Sequence, residues 1–136
     1  MLELKYGRFI MIIEKENTNY WQNELIKGLT LEGITDKNFF DFIKGKIKKL
    51  PLKVDDFGWG VFPIISQDGV LNDIRMVVPV IYNVKSLCVN IHEYVHAYEM
   101  YFDLGKIYKW HIKESEQKAC EAEKRYLLSL GNNSKL

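Results

Sequence analysis

The chain has 136 residues, of which 47% are hydrophobic and 27% are charged, as is typical of a folded globular domain. Lysine and arginine number 19 against 18 acidic residues, so the formal net charge of +1 provides no overall field that would attract nucleic acid or an anionic membrane. We therefore expect one domain, residues 1–136, whose partners are neither nucleic acid nor membrane.

The N-terminal region has a short apolar run at residues 9–13, without the longer hydrophobic segment and small-residue cleavage site of a signal peptide. No other run approaches the ~20 apolar residues that cross a bilayer as a helix. The two cysteines, Cys88 and Cys120, are too few for a disulfide framework and fit a reducing compartment. These features predict a cytoplasmic protein.

The first half of the chain is predicted to be mainly helical. Residues 9–14 fit a short strand, and helical spacing of apolar residues follows over residues 17–27 and 36–49. Asp36 is a suitable N-cap for the second helix, and Pro51 lies just beyond its end. The lysines of this helix are expected to form its solvated face.

The middle of the chain is predicted to be β-rich. Glycines at 58, 60 and 69 separate runs of β-branched and apolar residues at 61–66 and 74–82, which indicate two or three strands. Helices that precede and follow such strands, without βαβ alternation, favour an α+β fold with a small antiparallel or mixed sheet.

Two helices are predicted in the last third, at residues 83–103 with Gly105 as a left-handed stop, and at residues 112–130 ending at Gly131. A projection of the second helix at ~100° per residue shows which side chains should be buried. The predicted buried arc consists of Ile112, Ala119, Tyr126 and Leu130, with Cys120, Ala122 and Leu127 at its margins.

The first of these helices contains the motif His92-Glu93-Tyr94-Val95-His96. Residues four apart on a helix lie on one face with Cβ atoms ~5–6 Å apart, so His92 and His96 can both bind one ion. Glu93 follows the first histidine, where it can reach a metal-bound water without binding the metal itself. The motif therefore predicts a Zn²⁺ site with Glu93 as catalytic base.

A third ligand is expected farther along the chain, because a catalytic zinc ion has three protein ligands and one position for water. Glu99 and Phe102 stand where a metzincin has glycine and histidine, which excludes that class. On the last helix, Glu116 and Glu123 project into the apolar arc, where a carboxylate is costly unless it is paired or binds metal. Glu116 is the preferred third ligand, since the alanines that follow it allow close helix packing.

An HExxH motif on one helix and Glu116-Gln117-Lys118-Ala119 on the next resembles the gluzincin metallopeptidases, in particular small single-domain gluzincins and the ImmA/IrrE type. The resemblance covers residues 76–130. It implies a zincin-like fold with an active-site helix and a C-terminal glutamate helix, and a peptide or protein substrate. The peptide would lie along an exposed sheet edge, for which the strand at 74–82 is the candidate. The chain departs from the ImmA/IrrE pattern at residues 120, 122 and 123.

Several alternatives for the remaining roles stay open. His111 is an alternative third ligand, as SprT-like proteins use a downstream histidine, and Glu123 is another. Glu123 is also suited to accept a hydrogen bond from a ligand histidine. Tyr108 and His111 are candidates for stabilising the oxyanion. Cys88 lies one turn before His92, but a free cysteine at this position favours core packing over a fourth ligand.

The predicted function is zinc-dependent hydrolysis of peptide bonds by metal-activated water. The alternative is a catalytically weak or inactive zinc-binding regulatory or interaction protein on the same scaffold. A helical module in which the motif arose by chance and binds no metal is a third hypothesis.

Overall fold

The computed structural model describes residues 19–134, with side chains to residue 131. Within this range the elements are α1 (19–31), α2 (Lys37–Ile43), β1 (Ile47–Leu50), β2 (Gly60–Ile65), β3 (Leu71–Pro79), α3 (Val84–Tyr101) and α4 (Ile112–Ser134). The strand predicted at residues 9–14 and the start of the helix predicted at 17–27 lie outside the described residues. The α+β class is confirmed. No helix of residues 19–134 combines the length and apolarity needed to cross a membrane.

The three strands form a mixed sheet in the order β1-β3-β2, in which β1 is parallel and β2 antiparallel to β3. The central strand β3 has fully buried side chains at Leu71, Ile74, Met76 and Val78, because helix α3 packs against it. The two strands predicted at 61–66 and 74–82 are confirmed as β2 and β3. The expectation that the second of them is a sheet edge is wrong, since both of its sides are paired.

The helix predicted over residues 36–49 is only half helical. Asp36 caps α2 as predicted, its carboxylate accepting a 2.9 Å hydrogen bond from the backbone N–H of Asn38. After Ile43 the chain passes through a 3-10 turn at Lys44–Lys46 into β1. Gly45 weakens a continued helix, and pairing with β3 gives the following backbone groups partners that local sequence spacing does not reveal.

Helix α3 begins and ends within two residues of its predicted bounds. Asn83 and Ser86 form a capping box at its start, with the Ser86 N–H donating to the Asn83 side chain at 2.8 Å. Gly105, at a φ of +81°, ends the turn that follows the helix. The buried Asn90 donates to the Pro79 carbonyl at 2.9 Å and so ties α3 to the end of β3.

Helix α4 differs from its prediction in its end and in its buried face. It continues through Gly131, which is not among the glycines with positive φ, to Ser134. Its buried side chains are Ser115, Ala119, Ala122 and Tyr126. Ile112 and Leu127, predicted on or beside the buried arc, are 62% and 46% exposed. The packed face is therefore rotated away from Ile112 and Leu127 towards Ser115 and the two fully buried alanines, on the helix that packs against α3.

Candidate metal centre

His92 and His96 point from α3 towards α4, where Glu116 meets both of them. Their Nε2 atoms lie 3.1 Å apart. The two carboxylate oxygens of Glu116 lie 2.8 Å from Nε2 of His92 and 3.0 Å from Nε2 of His96. Two imidazole nitrogens and one carboxylate therefore converge on a single point between the helices.

The other nitrogen of His92 contacts a second carboxylate on α4. Nδ1 of His92 lies 2.8 Å from Oε2 of Glu123. An ionised carboxylate only accepts hydrogen bonds, so the proton of this bond belongs to Nδ1 of the histidine. The Nε2 atom that faces Glu116 then carries the lone pair of the neutral ring.

The other nitrogen of His96 is held by a serine and, behind it, a third carboxylate. Nδ1 of His96 lies 2.7 Å from Oγ of Ser115, and that hydroxyl donates to Oε1 of Glu99 at 2.9 Å. The single hydroxyl proton is used on Glu99, so Ser115 accepts from Nδ1–H of His96. Nε2 of His96 is thus also left with its lone pair.

This donor set fits a zinc ion. Two Nε2 lone pairs and a carboxylate that face one another at 2.8–3.1 Å repel unless a positive charge lies among them. Around a tetrahedral zinc with bonds of ~2.0–2.1 Å, nitrogen and oxygen ligands lie ~3.3 Å apart, a few tenths of an ångström more than here. With one donor atom from each of the three side chains, a four-coordinate ion would keep one position for water.

Comparisons with protein families, curated proteins and solved structures gave no match. The geometry and electrostatics of these side chains are therefore the basis for assigning a function.

Charges around the site shift the pKa values of its members in opposite directions. Burial alone would lower the pKa of His92, but the hydrogen bond that Nδ1 donates to Glu123 and the nearby carboxylates outweigh it and raise that pKa. Burial and the neighbouring His92 lower the pKa of His96. Glu93 is only 8% exposed, and this burial, reinforced by Glu116 and Glu123 against the opposing effect of His92, raises its pKa to about 7.

Three other predicted residues are not among the converging side chains. His111 is exposed and lines a cavity of about 330 Å³ beside Trp110. Tyr108 is half-buried against the hydrophobic core, and its backbone N–H donates to Gly69. Cys88 is buried in that core, and burial followed by the charge of Glu123 raises its pKa to about 11. Among the described residues, none of these three belongs to a group that could hold a metal.

The structure adds neighbours that the sequence does not predict. Ser115 and Glu99 have weak sequence signals, since one directly precedes Glu116 and the other lies three residues after His96 on the same helix face. Trp110, whose ring packs edge-on against His96 at 5.3 Å, has no such signal. Cys120 forms a second group that could hold a metal, together with His92 and Glu123.

Proposed function

We propose that the chain is a zinc metallopeptidase in which His92, His96 and Glu116 bind the ion and Glu93 is the general base. One observation carries the proposal: Nδ1 of each histidine is hydrogen-bonded on its outer side, to Glu123 and to Ser115, while both Nε2 atoms and a carboxylate face one point. A zinc ion bound there supplies a Lewis acid that polarises a carbonyl and lowers the pKa of water towards ~7.

Glu93 is suited to the proton transfers of hydrolysis. It follows His92 on α3, is buried, and has a pKa near neutrality. In the proposed reaction its carboxylate takes a proton from the attacking water and later gives that proton to the leaving amine. A base whose pKa is close to the working pH exchanges protons effectively in both directions.

The proposed substrate is an extended peptide that lies along β2. Among residues 19–134, β2 pairs only with β3, and its outer edge is the proposed partner for the backbone of the peptide. It exposes Phe62 and Ile64, 48% and 42% accessible, which give apolar contacts for alternate side chains of a peptide. Pro63 has no N–H, so this edge offers fewer donors than an ordinary strand.

The test combines metal analysis with peptide cleavage by the full chain. The purified protein should contain one zinc per chain and cleave members of a diverse peptide library. Glu93→Gln should keep its zinc and lose at least ~100-fold in kcat/KM, because the base is removed and the ligands stay. Glu114→Gln, which changes an exposed carboxylate of α4 that forms no hydrogen bond or ion pair with the proposed ligands among the described residues, is the control and should cleave normally.

Two results would contradict the proposal in different ways. Zinc-loaded wild type that cleaves no member of the library would favour a metal-binding regulatory protein. Protein that takes up no zinc at micromolar concentrations would exclude both functions and leave the motif without a metal.

A further inference from the structure

Ser115 is the only contact through which His96 Nδ1 is held, among the hydrogen bonds of the described residues. A serine hydroxyl can donate or accept, so on its own it does not determine which ring nitrogen of the histidine carries the proton. If Ser115 donated to Nδ1, the proton of the neutral ring would lie on Nε2. That proton would point at His92 and Glu116 and block a cation at His96.

Glu99 removes this ambiguity. Its Oε1 atom accepts the hydroxyl proton of Ser115 at 2.9 Å, which forces the serine oxygen to accept from His96. Both hydrogen-bonded groups are well shielded, with Ser115 1% and His96 3% exposed, so water does not readily replace either contact. The carboxylate of Glu99 therefore fixes the donor-to-acceptor direction of both hydrogen bonds, from His96 to Ser115 and from Ser115 to Glu99.

We infer that Glu99 is a positioning residue of the proposed metal centre, which through Ser115 holds His96 in the tautomer whose Nε2 is free to bind zinc. The inference rests on the proposed metal site. Glu99 lies three residues after His96 on α3, and Ser115 directly precedes Glu116 on α4. One turn of α3 and two adjacent residues of α4 thus supply two ligands and the groups that orient one of them.

Two neighbouring side chains, Lys118 and Trp110, help to keep Glu99 and the ring of His96 in this arrangement. The other oxygen of Glu99 lies 3.6 Å from the ammonium group of Lys118, so the carboxylate has a cationic partner on its exposed side. The ring of Trp110 packs edge-on against His96 at 5.3 Å and hinders a rotation of the imidazole that would exchange its two nitrogens. The ring orientation is set by packing and the tautomer by Glu99.

The experiment measures the tautomer directly. Nitrogen-15 NMR of histidine-labelled, metal-free protein at about pH 8 reports which nitrogen of each neutral ring is protonated, and the chain has only three histidines. Wild type should show His96 protonated at Nδ1. In Glu99→Gln the amide can donate to Ser115, so a substantial population of the Nε2–H form should appear while the fold, checked by amide spectra, is unchanged.

Zinc affinity gives the second measurement. We expect Glu99→Gln to weaken zinc binding about tenfold and Ser115→Ala by 10–100-fold, the range typical of residues that orient metal-ligating histidines. Glu99 and Glu114 line the same cavity, so Glu114→Gln, which also neutralises one carboxylate there, is the matched control and should leave both readouts unchanged.

The outcomes separate this inference from the proposed function. Wild type that binds zinc, with Glu99→Gln showing the same tautomer and an affinity within twofold, would overturn the role of Glu99 and leave the metal site intact. Wild type that binds no zinc would remove the site itself, whatever the tautomer of His96.

Discussion

Glu116 and Glu123 lie two turns apart on α4 and contact opposite nitrogens of the same histidine. Glu116 faces Nε2 of His92, where a metal would bind, and Glu123 faces Nδ1. Glu116→Gln should therefore lower zinc affinity by at least ~100-fold, whereas Glu123→Gln should lower it about tenfold. Competition with a chromophoric chelator measures both. The reverse order of effects would make Glu123 the ligand and Glu116 the orienting group.

Cys120 provides a separate test of which group holds the ion. Its thiol donates to Oε1 of Glu116 across 3.8 Å, and it belongs to the alternative group with His92 and Glu123. Because the preferred ligands do not include it, Cys120→Ser should bind zinc within about threefold of wild type. Cobalt-loaded wild type should accordingly lack a thiolate charge-transfer band. A strong band that disappears in Cys120→Ser would place the ion in the alternative group.

At the scale of single residues, the sequence predicts the pair of histidines well because a spacing of four on a helix fixes their geometry. The proposed third ligand, Glu116, is harder to predict. Projection of α4 assigned Glu116 to a buried arc, yet its side chain is 52% exposed and reaches the histidines from the rim of the helix interface. Ser115 and Glu99 depend on how α3 and α4 pack, which no spacing within either helix contains.

The N-terminus of α3 shows how one element supports the site it carries. Asn83 and Ser86 satisfy each other's backbone groups in a capping box, nine and six residues before the first histidine. Asn83→Ala should lower the free energy of unfolding by about 1 kcal/mol, since an N–H at the helix start loses its acceptor.

Urea denaturation followed by circular dichroism measures this difference. Lys85→Ala is the control in the same helical turn, because its ion pair with Asp55 is largely exposed and should contribute less than ~0.5 kcal/mol. If Asn83→Ala and Lys85→Ala lowered the free energy of unfolding equally, the Asn83 cap would contribute no more than the exposed ion pair.

At the scale of elements, the sequence predicts a helix correctly where its start and stop signals are local. It fails where pairing with a distant strand determines the backbone conformation. Helix α3 has its cap at Asn83 and its glycine at 105, and its bounds follow from them. The strand β1 was predicted as helix because its residues have helical spacing, and only the parallel partner β3 makes them extended. The role of β3 as the central strand depends on the same pairing.

For the whole molecule, Asp73 of β3 links the central strand to the segment that leads into β1. Its carboxylate accepts from the backbone N–H of Ile74 and pairs with Lys46, which precedes β1, and with Arg75 of β3. Burial alone would raise its pKa, but these contacts outweigh burial and lower the pKa from 3.8 to about 2. A carboxyl with a depressed folded-state pKa stabilises the fold above its unfolded pKa and loses this effect as the pH falls.

Asp73→Asn should therefore be less stable than wild type by about 1 kcal/mol near neutral pH, a value that allows for solvent screening. The difference should shrink between pH 4 and 2, where the wild-type carboxyl becomes protonated. Urea unfolding at a series of pH values measures it. The exposed Asp68→Asn is the control, and a difference that stays constant down to pH 2 would refute the electrostatic origin.

The placement of Ser115, Glu116 and Glu123 on one helix has a consequence for motion. If α4 separates from α3, all the groups that α4 contributes to the site leave together. A bound ion would therefore stabilise the packing of α4 against α3. Hydrogen exchange should then slow on α4 when zinc is added, while amides of β3 change little. The cell's supply of zinc would in this way govern how firmly the last helix is held.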